Sequence, residues 1–125
     1  MPKKILIAED EKPIRDILET KLQAAGFETI CCSDGEECVA LINSNKPDLI
    51  LLDIIMPKKD GLEILKEISK TDWVKNVPII VLSNKSDYNT QHEAWYYGVK
   101  VYLVKAETSL EDVLSRVKQL TMGKK

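Results

Sequence analysis

Asp48-Leu49-Ile50-Leu51-Leu52-Asp53-Ile54-Ile55-Met56-Pro57 is the stretch on which the fold turns. A strand with one wet face alternates apolar and polar residues. A strand covered on both faces is apolar throughout. Leu49 to Leu52 is apolar throughout and stops at an acid, Asp53. It therefore predicts a central strand of a parallel sheet, with Asp53 at its carboxyl end. Met56-Pro57-Lys58-Lys59-Asp60-Gly61 then reads as loop by its Pro and Gly content.

Working outward, the same pattern recurs. Ile5 to Ala8 is a short apolar run that ends at Glu9 and Asp10. Ile14, Ile17, Leu18 and Leu22 follow at helical spacing within Glu11 to Ala25, with Pro13 near the start and Gly26 closing the segment. Glu28 to Cys32 predicts a second strand, Ser33-Asp34-Gly35 a capping turn, and 36–43 a helix broken by Lys46-Pro47. Beyond Asp53, Leu62, Ile64, Leu65 and Ile68 mark a helix. Ile79 to Leu82 predicts a strand ending at Ser83, and 88–97 a helix stopped by Gly98. Val101 to Val104 gives a fifth strand, ending at Lys105. Leu110, Val113, Leu114, Val117 and Leu120 lie on the last helix. Strand and helix alternate five times, which means an α/β fold with a parallel sheet covered on both faces and right-handed crossovers.

With 125 residues the chain fits one domain, 1–125, and a net charge of −2 argues against a direct nucleic-acid binder. No apolar run is long enough to span a membrane, and no signal-peptide pattern opens the chain, so a cytoplasmic protein is expected. Cys31, Cys32 and Cys38 are odd in number, two of them adjacent, and the only histidine is His92. That is neither a disulfide framework nor a zinc site; the cysteines read as small reduced hydrophobes.

The strand ends carry the chemistry. In an open parallel sheet, ligands bind beyond the carboxyl ends of the strands, and there this sequence has Glu9, Asp10, Asp53, Ser83 and Lys105. Three clustered carboxylates repel one another, and a hard divalent cation with a preference for oxygen, Mg²⁺, relieves that. An aspartate so placed can act as a nucleophile toward a phosphoryl group. Phosphoryl transfer then needs positioning and charge neutralisation, from the metal, the Lys105 ammonium and the Ser83 hydroxyl. Singly, each residue has a plainer reading: Asp10 as a helix N-cap, Ser83 as a turn residue. Their joint placement at four strand ends favours the site.

These motifs, together with Asp60-Gly61, Pro78-Ile79-Ile80-Val81-Leu82-Ser83 and Tyr102-Leu103-Val104-Lys105, resemble the response-regulator receiver domain of two-component signalling over essentially the whole chain. The resemblance implies a flavodoxin-like doubly wound (βα)5 fold of strand order 2-1-3-4-5. It implies Asp53 as phosphoacceptor, served by a sensor histidine kinase or a phosphotransfer protein. It implies Mg²⁺ held by Asp10, Asp53 and the backbone carbonyl of Ile55, with Glu9 acting largely through water. Ser83 and Tyr102 take the two switch positions, and the domain is a signalling module, not an enzyme.

Several positions depart from the pattern, among them Lys100 and Val101, which replace small or acidic residues often found before the switch aromatic. Ala106 follows Lys105 where the family has a cis proline, leaving open a strained or a relaxed trans bond. Asn84 follows Ser83 where a small residue is usual, and either narrows access to the phosphoryl group or bonds to it. Ile55 flanks the site but cannot orient an attacking water, which predicts slow self-dephosphorylation.

Trp95, Tyr96 and Tyr97 cannot all face the core of one helix. By the resemblance Tyr97 faces the sheet and Trp95 the outside. Trp95 and Tyr102 then mark a surface of the fourth helix, fifth strand and last helix for a downstream protein target or a homodimer. No output domain is expected after the last helix. Among rivals, an aspartyl-phosphate phosphatase wants an acid where Ile55 stands. An FMN binder wants a phosphate cradle where Glu9, Asp10 and Glu11 would repel phosphate. A receiver-like interaction module that is never phosphorylated is the alternative reading.

Overall fold

The computed structural model describes residues 2–122. Five strands, β1 (Lys4–Ala8), β2 (Glu28–Cys32), β3 (Leu49–Leu52), β4 (Ile79–Ser83) and β5 (Val101–Val104), form one parallel sheet in the order β2-β1-β3-β4-β5. Four helices connect them, α1 (Lys12–Ala24), α2 (Gly35–Asn45), α3 (Gly61–Ile68) and α4 (Tyr88–Tyr96), and α5 (Leu110–Met122) follows the last strand.

Strand periodicity sorts the core into two layers. Ile5, Ile7, Leu49, Leu51, Ile80 and Leu82 point to one face and pack on Leu18 and Leu22 of α1 and Val113 and Val117 of α5. Leu6, Ala8, Ile50, Leu52 and Val81 point to the other and pack on Cys38 and Ile42 of α2, Ile64 and Leu65 of α3 and Ala94 of α4. Every residue of β3 is buried, as its unbroken apolar run predicts. Each such Leu or Ile contributes about 1.5–3 kcal/mol by leaving water.

Helix ends are fixed by local chemistry. Asp34 accepts the Glu37 N–H at 2.8 Å, and Asp60 and Glu63 form a reciprocal capping box. Gly26 and Gly98 both take φ of +97° just past helix ends, where a side chain would be strained.

The helical face assigned to α1 needs a correction. Leu18 and Leu22 are buried, but Ile17 is 49% exposed. Leu18 and Leu22 form the stripe of α1 that packs on the sheet and α5, and Ile17 lies off it. Leu110, at the first position of α5, is likewise exposed. Two 3₁₀ turns, Asp72–Asn76 and Lys105–Glu107, have no apolar periodicity and escape sequence reasoning.

Candidate functional site

The register of the sheet gathers the strand-end residues. Ala8 pairs with Leu52, Leu52 with Val81, and Ser83 with Val104. The next residues, Glu9, Asp53, Asn84 and Lys105, thus leave the sheet along one edge. Asp53 and Glu9 are almost fully buried, whereas Asp10 is exposed. One carboxylate oxygen from each of Glu9, Asp10 and Asp53 lies within 4.8 Å of the others. Hard oxygen donors at that spacing, with one acid open to solvent, suit Mg²⁺, which keeps part of its water shell.

Asp10 is not an N-cap. Glu11 occupies the cap position of α1 without a side-chain cap bond, so the Asp10 carboxylate is left to the cluster. Arg15 donates from Nη1 to the Glu9 carbonyl at 2.8 Å, and the Glu11 N–H donates to Glu9 Oε2 at 3.2 Å. Both fix the turn after β1. Neither was legible beforehand, because a single Arg on an amphipathic helix carries no signal of its own.

Lys105 reaches across the cluster. Its Nζ is 2.7 Å from Asp53 Oδ2, 2.9 Å from Glu9 Oε1 and 3.5 Å from Glu11 Oε1. Burial alone would lower the ammonium pKa. Hydrogen bonds to Asp53 and Glu9 outweigh it and hold the group above the ordinary lysine range. For Glu9 the balance is reversed. Burial pushes its carboxyl up to about 7, the Lys105 hydrogen bond opposes, and the Asp53 charge reinforces burial.

The other Asp53 oxygen, Oδ1, accepts the Ile55 N–H at 3.1 Å, while the Ile55 side chain is 57% exposed beside it. Gly61 is required behind the acid. A Cβ there would lie 2.7 Å from both the Asp53 carbonyl oxygen and Ile54 Cα. Asp60-Gly61 stands out in the sequence as a motif, but this close approach leaves no signal there.

Ser83 is fully buried and its Oγ accepts the Lys85 N–H at 3.2 Å. The Tyr102 hydroxyl donates to the Lys85 carbonyl. Burial, with the charges of Asp87 and Asp53, pushes the Tyr102 phenol up to about 12, so it stays a donor. The Lys105–Ala106 bond is trans, as are all described peptide bonds, and Lys105 reaches Asp53 nonetheless. Asn84 Oδ1 accepts the Ala106 N–H at 2.9 Å, which commits its acceptor oxygen to the β5–α5 turn.

Tyr97, just past the end of α4, packs against the core, and Trp95 on α4 is about half exposed, as expected. Tyr88 and Tyr96 are more exposed still, at 77% and 78%. Tyr88 stacks on His92 with ring centroids 5.8 Å apart. Cys32 and Cys38 are buried, and burial raises the Cys31 thiol to about 12, which disfavours its reactive thiolate.

The sequence model of the response regulator receiver domain matches residues 5–118 of this chain. The chain belongs to the receiver-domain family. The receiver domain of Francisella response regulator 1452 is 34% identical, with TM-score 0.88 over 98% of this chain and 99% of that one. Vibrio cholerae chemotaxis protein CheY4 is 28% identical, with TM-score 0.87 over 96% and 99%. The N-terminal domain of a Wolinella succinogenes protein is 31% identical, with TM-score 0.86 over 94% and 93%. This receiver has the flavodoxin-like arrangement of its neighbours. Among its described residues no helix is long and apolar enough to cross a membrane.

Proposed function

We propose that this receiver accepts a phosphoryl group on Asp53 from a phosphohistidine of a sensor kinase or phosphotransfer protein, and relays the change to a protein partner. The observation that carries the reading is the buried Asp53 carboxylate at the end of β3, with the Lys105 ammonium 2.7 Å away and the acids of β1 alongside.

In the reaction, an Asp53 carboxylate oxygen attacks phosphorus, and the bond from phosphorus to the donor imidazole nitrogen breaks. The electron pair leaves with that nitrogen, which then takes a proton from solvent. Glu9, Asp10 and Asp53, with the Ile55 carbonyl, would hold Mg²⁺, and the ion would supply positive charge where negative charge collects. Lys105 shifts from pairing two carboxylates to pairing a phosphoryl oxygen, so it costs little reorganisation. The Ser83 side chain turns to donate its O–H to a phosphoryl oxygen and gives up the Lys85 N–H that its Oγ accepts. That loosens the loop whose Lys85 carbonyl holds Tyr102, and biases the two-state surface of α4, β5 and α5.

The exposed stripe of Tyr88, His92, Trp95 and Tyr96 supports an output role for that surface. These positions fall on one side of α4 at helical spacing.

The test is incubation with Mg²⁺ and beryllofluoride, followed by tryptophan fluorescence and amide NMR shifts, for wild type and Asp53→Ala. A response in wild type alone is expected. A response in both proteins, or in neither, removes the reading.

A further inference from the structure

We propose that Asn84 is a positioning residue for Lys105, acting through the Lys105–Ala106 peptide; this rests on the reading of Asp53 as phosphoacceptor. Two positions depart from the family pattern, and the fold brings them together. Ser83 and Val104 are paired in the sheet, and the chain leaves β4 and β5 just beyond them. Across that gap Asn84 Oδ1 accepts the Ala106 N–H at 2.9 Å.

The Ala106 N–H takes Asn84 Oδ1 as its acceptor. It lies at the start of the 3₁₀ turn Lys105–Glu107, where no carbonyl of the turn itself can reach it. A proline at this position has no N–H and raises no such demand. Alanine brings the donor, and asparagine supplies the acceptor.

The bond also fixes a plane. On the other edge of the same trans peptide, the Lys105 carbonyl accepts the Thr108 N–H at 3.3 Å. Thr108 Oγ1 in turn donates to the Val104 carbonyl at 2.7 Å. The plane that roots the Lys105 side chain is therefore held from both edges, by its own turn and by Asn84. With both edges of that peptide held, the turn leaving β5 keeps the Lys105 Cα in place, and from there Nζ reaches Asp53 and Glu9.

Asn84 is next to Ser83 and Lys85 in one loop. Lys85 donates its N–H to Ser83 Oγ and accepts from Tyr102 through its carbonyl. A shift of that loop therefore reaches the root of Lys105 through Asn84. The clasp couples the hydroxyl and the ammonium that are to meet the same phosphoryl group.

The experiment is a four-protein cycle: wild type, Asn84→Ala, Ala106→Pro, and both changes together. Phosphorylation rate by acetyl phosphate in excess Mg²⁺ is measured for each, with thermal midpoints. Exchange of the Ala106 amide hydrogen is measured in the two proteins that keep it. Loss of one hydrogen bond should slow phosphorylation about two- to tenfold in Asn84→Ala, speed Ala106 exchange, and leave the midpoint nearly unchanged. In the Ala106→Pro background Asn84→Ala should have no effect on rate. An equal effect in both backgrounds overturns the proposal, because Asn84 would then act on the phosphoryl group directly. So does an unchanged rate, whatever the amide does. A wild-type chain that takes no phosphoryl group removes the phosphoacceptor reading together with this one, and is distinguishable by that result.

Discussion

Lys105→Met keeps most of the side-chain stem and removes the ammonium that bridges Asp53 and Glu9. Both carboxylates are almost fully buried, at 2.7 and 2.9 Å from Nζ. A hydrogen bond to a charged group contributes about 1.5–3 kcal/mol, which sets the loss on the Asp53 side. Glu9 adds a part that depends on pH. Burial, opposed by Lys105 and reinforced by Asp53, places its folded carboxyl at about 7 against an ordinary 4.5. Below that value Glu9 already holds a proton and gives Lys105 little. At about pH 8 it is ionised, and the variant relieves the unpaired charge by protonating it, at a cost of about 1.4 kcal/mol per pH unit above 7.

The loss without metal should therefore be about 2 kcal/mol near pH 6 and about 3–4 kcal/mol near pH 8. The sign follows from proton binding. A carboxyl whose folded pKa is raised binds more protons in the folded state, so wild-type stability falls as pH rises from 4.5 to about 7. Removing Lys105 raises that pKa further and carries the fall to higher pH. Urea unfolding in EDTA, followed by circular dichroism at the two pH values, measures both losses. Equal losses at the two values, or losses below about 0.5 kcal/mol at both, would refute the bridging role.

Ile55→Asn should shorten the phosphoaspartate lifetime about two- to tenfold, since an amide beside Asp53 can hold an attacking water through one hydrogen bond; equal decay rates after removal of the phosphodonor count against it. Gly61→Ala should lower stability by about 1–3 kcal/mol through the contact with the Asp53 carbonyl and Ile54 Cα, and an unmoved thermal midpoint rejects that close approach. Any self-association through the proposed surface of α4, β5 and α5, read by sedimentation in the beryllofluoride state, should weaken about tenfold in Trp95→Ala with phosphorylation unchanged; unaltered association takes Trp95 out of that surface.

The fold was legible because the runs Leu49–Leu52 and Ile79–Leu82 are apolar throughout and each is closed by a residue of different chemistry, Asp53 and Ser83. Asp53 and Lys105 were legible for the same reason: a strand end is a fixed address in a parallel sheet, so residue type and position together specify a neighbourhood. What stayed hidden depends on contacts between segments distant in sequence. Ile17 satisfies helical periodicity, yet the packed face of α1 runs through Leu18 and Leu22 and leaves it outside. Arg15 on the Glu9 carbonyl leaves no pattern in the chain. The Asn84–Ala106 bond was half visible, as two separate departures from a family pattern. Only the register of β4 against β5 joins them.

The most direct measurement is the location of the phosphoryl group. The chain is treated with acetyl phosphate and Mg²⁺, the acyl phosphate is reduced with borohydride, and the modified peptide is identified by mass. Modification at Asp53 alone, absent in Asp53→Ala, is the expected result. Modification at Glu9, Asp10 or another acid, or unchanged labelling in Asp53→Ala, would contradict the account.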